Sequence, residues 1–185
     1  MPKKDNEKFK LFVVGIFLVL LYYFLDDSND MLLYIGIGSM ILGLSTWLYP
    51  LLSKRKRFSS AQLETIDMMS GNEFEEYTTF LLAKHQFQKI RQTKAHGDQG
   101  IDVIASKNGV TYGIQCKRWK KNVGNKAIQE VYAGIGYYAL DKAIVLTNSS
   151  FTDSAKQLSK KLHVELWDRK TLTKMIEESL IHDKQ

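Results

Sequence analysis

Residues 97–117 read GDQGIDVIASKNGVTYGIQCK. Two runs rich in apolar and β-branched residues, 101–105 and 110–117, flank Ser106-Lys107-Asn108-Gly109. Asn-Gly readily takes the two positive-φ positions of a tight turn, so the stretch predicts an antiparallel β-hairpin. Side chains alternate between faces along a strand, which puts Gln115 and Lys117 on one face and Cys116 on the other. Pairing back across the turn brings Asp102 close to Gln115.

The flanks extend this hairpin into a larger sheet. Upstream, Phe74, Tyr77, Thr78, Leu81 and Leu82 recur at the i, i+3, i+4, i+7, i+8 spacing of one helical face, with Ser70 as the cap. Residues 59–70 form a connector in which Leu63, Ile66 and Met69 suggest a short amphipathic helix, and 88–93 predicts a short strand. Downstream, Gly124 breaks the chain before a helix over 126–140. Residues 143–147 form a continuous apolar strand, 152–162 a helix capped by Thr152, 164–167 a strand, and Asp168 caps a last helix to about 181. Three strands in a meander followed by helical crossovers predict an α/β fold with a mixed sheet over residues 71–185.

Residues 1–58 have a different character. Residues 11–25 and 31–52 carry no charge, and five residues, Asp26-Asp27-Ser28-Asn29-Asp30, separate them. The second run has 22 residues, enough to cross roughly 30 Å of hydrocarbon at about 1.5 Å per residue. The first has 15, short but workable if Lys10 snorkels. Tyr22, Tyr23, Tyr34, Trp47 and Tyr49 sit near the run ends, where amphipathic rings favour the headgroup layer. A signal peptide is the poorer reading, because DDSND and a second apolar run follow instead of a cleavage pattern. The expectation is a transmembrane helical hairpin. Lys3, Lys4, Lys8 and Lys10 precede it, Lys54, Arg55, Lys56 and Arg57 follow it, and the loop has no basic residue. The positive-inside rule then puts both termini and the whole of the later domain in the cytoplasm, at what would be a bacterial plasma membrane.

Composition bears this division out. A formal charge of +6, from 26 Lys+Arg and 20 Asp+Glu, divides into +3 before residue 59 and +3 after it. The mean hydropathy of −0.23 is thus the average of an apolar segment and a polar domain. A hydrophobic share of 44% excludes overall disorder, and a single cysteine, Cys116, excludes a disulfide framework.

A carboxylate, an amide oxygen and an ammonium projecting together suit a hard, oxygen-ligated cation beside a lysine. Asp102, Gln115 and Lys117 provide that set, although charged groups at strand ends are commonly just solvated. Between Lys94 and Lys126 seven basic residues face two acids, Asp98 and Asp102, with Trp119 interleaved. Lys94, Arg118, Lys120, Lys121 and Lys126 are therefore candidate phosphate-backbone contacts. The alternative is a solvated basic loop, or one facing anionic lipid. His85, His96, His163 and His182 show no metal-ligand spacing.

Five blocks occur in order: Gly71-Asn72-Glu73-Phe74-Glu75; Leu81-Leu82; residues 97–105; Gln115-Cys116-Lys117-Arg118; and Thr147-Asn148-Ser149-Ser150-Phe151-Thr152. In this the chain resembles the Mrr-type restriction endonuclease catalytic domain, a branch of the PD-(D/E)XK nucleases, over roughly residues 67–172. The resemblance implies a restriction-endonuclease-like αβββαβ core that cuts DNA with Mg2+, Mn2+ being an acceptable substitute. It implies Asp102 as the main metal-binding carboxylate and Lys117 as the catalytic lysine. Gln115 stands in the superfamily's usual acidic position, the Cys116 backbone carbonyl completes the metal shell, and Glu75 is the additional acidic ligand. Asp98 matches a family block, with an orienting role. Cutting both strands of a duplex suggests a homodimer. No separate DNA-reading domain is visible, which departs from restriction enzymes that carry one. The competing class is an inactive nuclease fold that tethers DNA or a protein partner to the membrane.

Overall fold

The computed structural model describes residues 3–25, 30–93 and 99–182, which divide into two units, residues 1–59 and 60–185.

The first unit is a pair of helices, α1 (Lys3–Leu25) and α2 (Met31–Ser59). A Cβ on Gly43 would meet Phe12, one on Gly15 would meet Met40 and the Gly36 carbonyl, and one on Gly36 would meet Val19. Contacts that descend α2 as they ascend α1 make the pair antiparallel, and the glycines let the backbones close up. Phe17, Leu20, Phe24, Ile41, Leu42, Trp47 and Leu52 are more than half exposed. Among the described helices one segment, Leu33–Ser59, is long and apolar enough to cross a membrane by length and composition. The apolar part of α1, Phe12–Phe24, is shorter than that test requires. The expectation of two spans therefore reduces to one candidate span.

The second unit is a five-stranded mixed sheet with helices on it. Its elements are α3 (Leu63–Asp67), α4 (Gly71–Lys84), β1 (Gln88–Gln92), β2 (Val103–Lys107), β3 (Val110–Lys117), α5 (Asn125–Tyr138), β4 (Lys142–Thr147), α6 (Asp153–Leu162), β5 (Glu165–Trp167) and α7 (Arg169–His182). Strand order equals chain order, β1-β2-β3-β4-β5. The β1-β2 and β2-β3 pairs are antiparallel, and β3-β4 and β4-β5 are parallel. The expected meander and crossovers are both present.

Local chemistry explains the element ends. Ser70 Oγ accepts from Glu73 N while Glu73 returns a bond to Ser70 N, a capping box that starts α4. Asn108 (φ 53°) and Gly109 (φ 80°) form the hairpin turn, pairing Lys107 with Val110. Thr152 caps α6 through Ala155 N, and Asp168 caps α7 through Thr171 N. Strand β2 starts at Val103, two residues later than its apolar pattern suggests, although Asp102 N still donates to Ile114 O. Residues 60–70, read from sequence as a connector, are part of this unit: Ile66 is fully buried and Asp67 pairs with Arg169.

The core has two sides. Buried Phe74, Tyr77, Leu81 and Leu82 of α4 cover one face of the sheet, while Ile128 and Val131 of α5 join Ile101, Val145 and Phe151 on the other. Full burial of a Leu, Ile or Phe side chain contributes about 1.5–3 kcal/mol, so this two-sided core gives the strand ends a stiff base.

Candidate active site

The site residues gather where β2 begins and β3 ends. Asp102 is held at both backbone groups: its N–H donates to Ile114 O, and its carbonyl accepts from Thr93 N at 3.0 Å. Its carboxylate turns across the hairpin toward β3. Gln115 Nε2 donates to Asp102 Oδ2 at 2.5 Å, and Cys116 N donates to the same oxygen at 2.6 Å. Both side chains are buried, with Asp102 7% and Gln115 5% exposed. A buried carboxylate costs free energy unless hydrogen-bonded, and here two donors compensate one oxygen. The juxtaposition expected from the hairpin is thus found.

Lys117 lies on the Gln115 face, at the end of β3. Its Nζ donates to Glu130 Oε2 at 3.0 Å, and the other Glu130 oxygen lies 3.8 Å from Lys126 Nζ. Glu130 comes from α5, which covers that face. The Glu130 backbone matters as well, because Gly100, at φ 81°, lies so close to it that any Cβ there would collide with the Glu130 carbonyl. One residue therefore seats the loop leading to Asp102 and pairs the lysine. Sequence reading missed Glu130. Its only signal was the i, i+4 spacing from Lys126, which is common on solvated helices.

Cys116 points to the opposite face, where its thiol donates to Thr78 Oγ1 at 3.5 Å. Burial pushes the thiol well above its ordinary pKa, the charge of Asp102 pushes the same way, and Glu75 adds to it. Glu75, on the first turns of α4, is thus close enough to be felt at the Cys116 position. Among the described residues no group of three or more His, Cys, Asp or Glu converges as a metal cage.

The basic candidates divide. Lys94 and Asp98 lie outside the described residues, as does His96. Lys120 and Lys121 are exposed. Lys126 is largely exposed and leans toward Glu130. Arg118 is partly buried, its Nε has no hydrogen-bond partner among the described residues, and its charge helps lower the pKa of Asp67.

A network unforeseen in the sequence braces the loops beyond these strands. Arg169 Nη1 and Nη2 each donate to one oxygen of Asp67 at 2.8 Å, and Nη1 also donates to Asn148 O. Asn148 donates from Nδ2 to Asp67 at 2.7 Å and accepts from Trp119 N at 2.8 Å. Thr147 Oγ1 donates to Lys117 O at 2.6 Å. The Arg169 guanidinium holds the Asp67 carboxyl below its ordinary pKa, against an opposing effect of burial.

A family model described as restriction endonuclease, the Mrr catalytic domain, matches residues 66–176. The chain belongs to this restriction endonuclease family. The matched segment contains Glu75, Asp102, Gln115, Lys117 and Glu130. No curated protein matches the chain. Three solved structures are similar to this chain. One is a protein of unknown function, AF1548, at 24% identity and a TM-score of 0.48, over 60% of this chain and 64% of that one. The second is Can2 from Sulfobacillus thermosulfidooxidans in complex with cyclic tetra-adenylate, at 17% identity and a TM-score of 0.42, over 60% and 36%. The third is the DNA modification-dependent restriction endonuclease AspBHI, at 14% identity and a TM-score of 0.48, over 71% and 36%. The chain thus spans under two thirds of the length of each.

Proposed function

We propose that this protein is a metal-dependent DNA endonuclease anchored at the cytoplasmic face of a membrane. The observation that carries the reading is the buried Asp102–Gln115 pair with Lys117 two residues further along the same strand face. The membrane part rests on the apolar helix Leu33–Ser59 and on the basic residues at its end.

The donor set fits a hard divalent cation such as Mg2+ or Mn2+. The Asp102 carboxylate, the Gln115 amide oxygen, the Cys116 carbonyl and the Glu75 carboxylate are all oxygens. Gln115 offers Nε2 to Asp102 here, and the same amide turned over offers Oε1. Bound there, the ion supplies polarisation of the scissile phosphate and a more acidic attacking water.

The remaining work belongs to side chains. Lys117 offers a positive charge to the phosphate oxygens as negative charge grows on them. Glu130 holds that ammonium in place. Arg118, Lys120 and Lys121 follow on the loop after β3 and neutralise the phosphates on either side. The water oxygen bonds to phosphorus as the P–O3′ bond breaks, and the departing 3′ oxygen takes up a proton, giving 5′-phosphate and 3′-hydroxyl ends.

The experiment is cleavage of supercoiled and linear plasmid by the full chain in detergent, with and without Mg2+ or Mn2+, beside Asp102→Ala. Metal-dependent nicking that Asp102→Ala abolishes supports the enzyme. Unchanged nicking in Asp102→Ala removes Asp102 from the chemistry. Two observations favour a second reading: a neutral amide stands at position 115, and no three-residue acidic or histidine cage is found among the described residues. A tether that retains DNA and never cuts it is the outcome that reading requires.

A further inference from the structure

Beside these residues lies a recess of which the proposed chemistry uses only Lys120, at its rim. It opens at the C-terminal ends of β3 and β4, where the loops after those strands meet the end of α3 and the start of α7. Its volume is about 370 Å3, at the small end of ligand sites. The floor is the Asp67–Arg169–Asn148 network, whose groups are committed to one another. The walls differ in character. The Trp119 side chain is 50% exposed and Met68 86% exposed, and both line the recess. Ser149 and Ser150 line it too, with hydroxyls that have no hydrogen-bond partner among the described residues. Lys120 completes the rim.

A flat ring and a thioether left in water, polar hydroxyls, and a cation at the mouth match one chemical class. A nucleobase has apolar faces to stack, donors and acceptors around its edge, and a phosphate on either side. Trp119 is two residues beyond Lys117, which keeps their backbones within about 7 Å, so a strand held by its phosphates at Lys117 has this opening within reach. Bases paired and stacked inside a duplex cannot enter a recess, whereas an unpaired one can.

We propose that the recess seats one unpaired base of the bound DNA strand against Trp119 and Met68, so that single-stranded or locally unpaired DNA is preferred over intact duplex. This rests on the nuclease reading for the identity of the strand. The test reads binding without cleavage. The full chain in detergent and EDTA is titrated with two oligonucleotide duplexes, one with 2-aminopurine unpaired in a single-base bulge and one fully paired.

The expected result is tighter binding of the bulged duplex, with stacking quench of its fluorescence. Trp119→Ala should lower that affinity about 5- to 150-fold, the range for loss of one base–aromatic stack, and remove the quench. Trp119→Phe should keep the quench, and Met68→Ala, an exposed change, should weaken it. Affinity for the paired duplex should stay constant across all three variants. Equal affinity for the two duplexes, no binding of either, or no effect of Trp119→Ala and Met68→Ala overturns the proposal. So does binding of 2-aminopurine deoxynucleoside monophosphate as tightly as the oligonucleotide, which would make the recess a free-nucleotide site. A chain that quenches the base but cuts no DNA keeps this recess and retires the nuclease reading.

Discussion

The Lys117 ammonium sits 3.0 Å from Glu130 Oε2, which joins the last residue of β3 to the middle of α5. With Lys117 20% and Glu130 31% exposed, water screens the pair only in part. The bond fixes where a flexible four-carbon side chain delivers its charge. Positioning of this kind costs little in binding and matters when charge develops.

Glu130→Gln should therefore lower kcat about 10- to 100-fold while KM changes little. The amide keeps a hydrogen bond to Lys117 but loses the charge. Unchanged circular dichroism and melting would exclude a folding defect. A rise in KM at constant kcat would assign Glu130 to substrate binding instead.

Glu75 and Glu76 are neighbours on α4, yet only Glu75 is felt at the Cys116 position among the groups acting on that thiol. If Glu75 supplies the charge that a neutral Gln115 lacks, Glu75→Gln should weaken Mg2+ or Mn2+ binding about tenfold or more. Glu76→Gln should leave it nearly unchanged. Calorimetric titration of both variants decides this, and equal effects would remove Glu75 from the site.

Much of this arrangement was legible in the sequence because local rules govern it. Asn108-Gly109 fixed the turn, and the period of two put Asp102 beside Gln115 and sent Cys116 to the other face. Ser70, Thr152 and Asp168 were readable as caps for the same reason. The start of β2 was misplaced by two residues because Ile101 is buried as the strand residues are, although the ladder begins at Val103. Glu130 and the Asp67–Arg169 pair were not readable at all. Asp67 and Arg169 are separated by 102 positions, and a polar residue on a helix carries no periodic signal naming its partner.

Asp67 is the group whose pH response follows from structure. Its folded pKa lies below the ordinary value, chiefly through Arg169, so the unfolded chain takes up its proton first as pH falls. Its stabilising contribution is complete above the ordinary carboxylate value near 4 and is lost as pH drops from there through the folded value. Asp67→Asn should lower stability at pH 7 by on the order of 1 kcal/mol, a modest figure because the pair is partly solvated. The gap in melting temperature between wild type and Asp67→Asn should shrink below about pH 4. A constant gap across that range would deny the ion pair its role.

Cys116 should be inert in the folded protein. It is 8% exposed, and burial with the nearby Asp102 charge holds its thiol protonated well above its ordinary value. Alkylation by iodoacetamide at pH 8 should be slow in the native protein and fast in denaturant, because the thiolate is the reacting form. Rapid native labelling would mean that α4 lifts from the central strand β3 more readily than the Cys116–Thr78 contact suggests.

The exposed pair Lys120 and Lys121 separates the two anionic partners the basic loop could serve. If both contact phosphates of a DNA strand, Lys120→Ala with Lys121→Ala should weaken binding similarly for all sequences. It should also reduce the slope of log affinity against log salt by about 2, since each neutralised phosphate contributes close to one counterion. Liposome binding by the full chain should be unaffected, because the cluster at Lys54–Arg57 is left intact. If the loop faces lipid, the same double substitution should lower binding to anionic vesicles and leave the DNA salt slope unchanged. Each reading moves one of the two measurements and leaves the other unchanged. Run on one preparation, they assign the loop's charge to DNA or to the bilayer whether or not the protein cuts DNA.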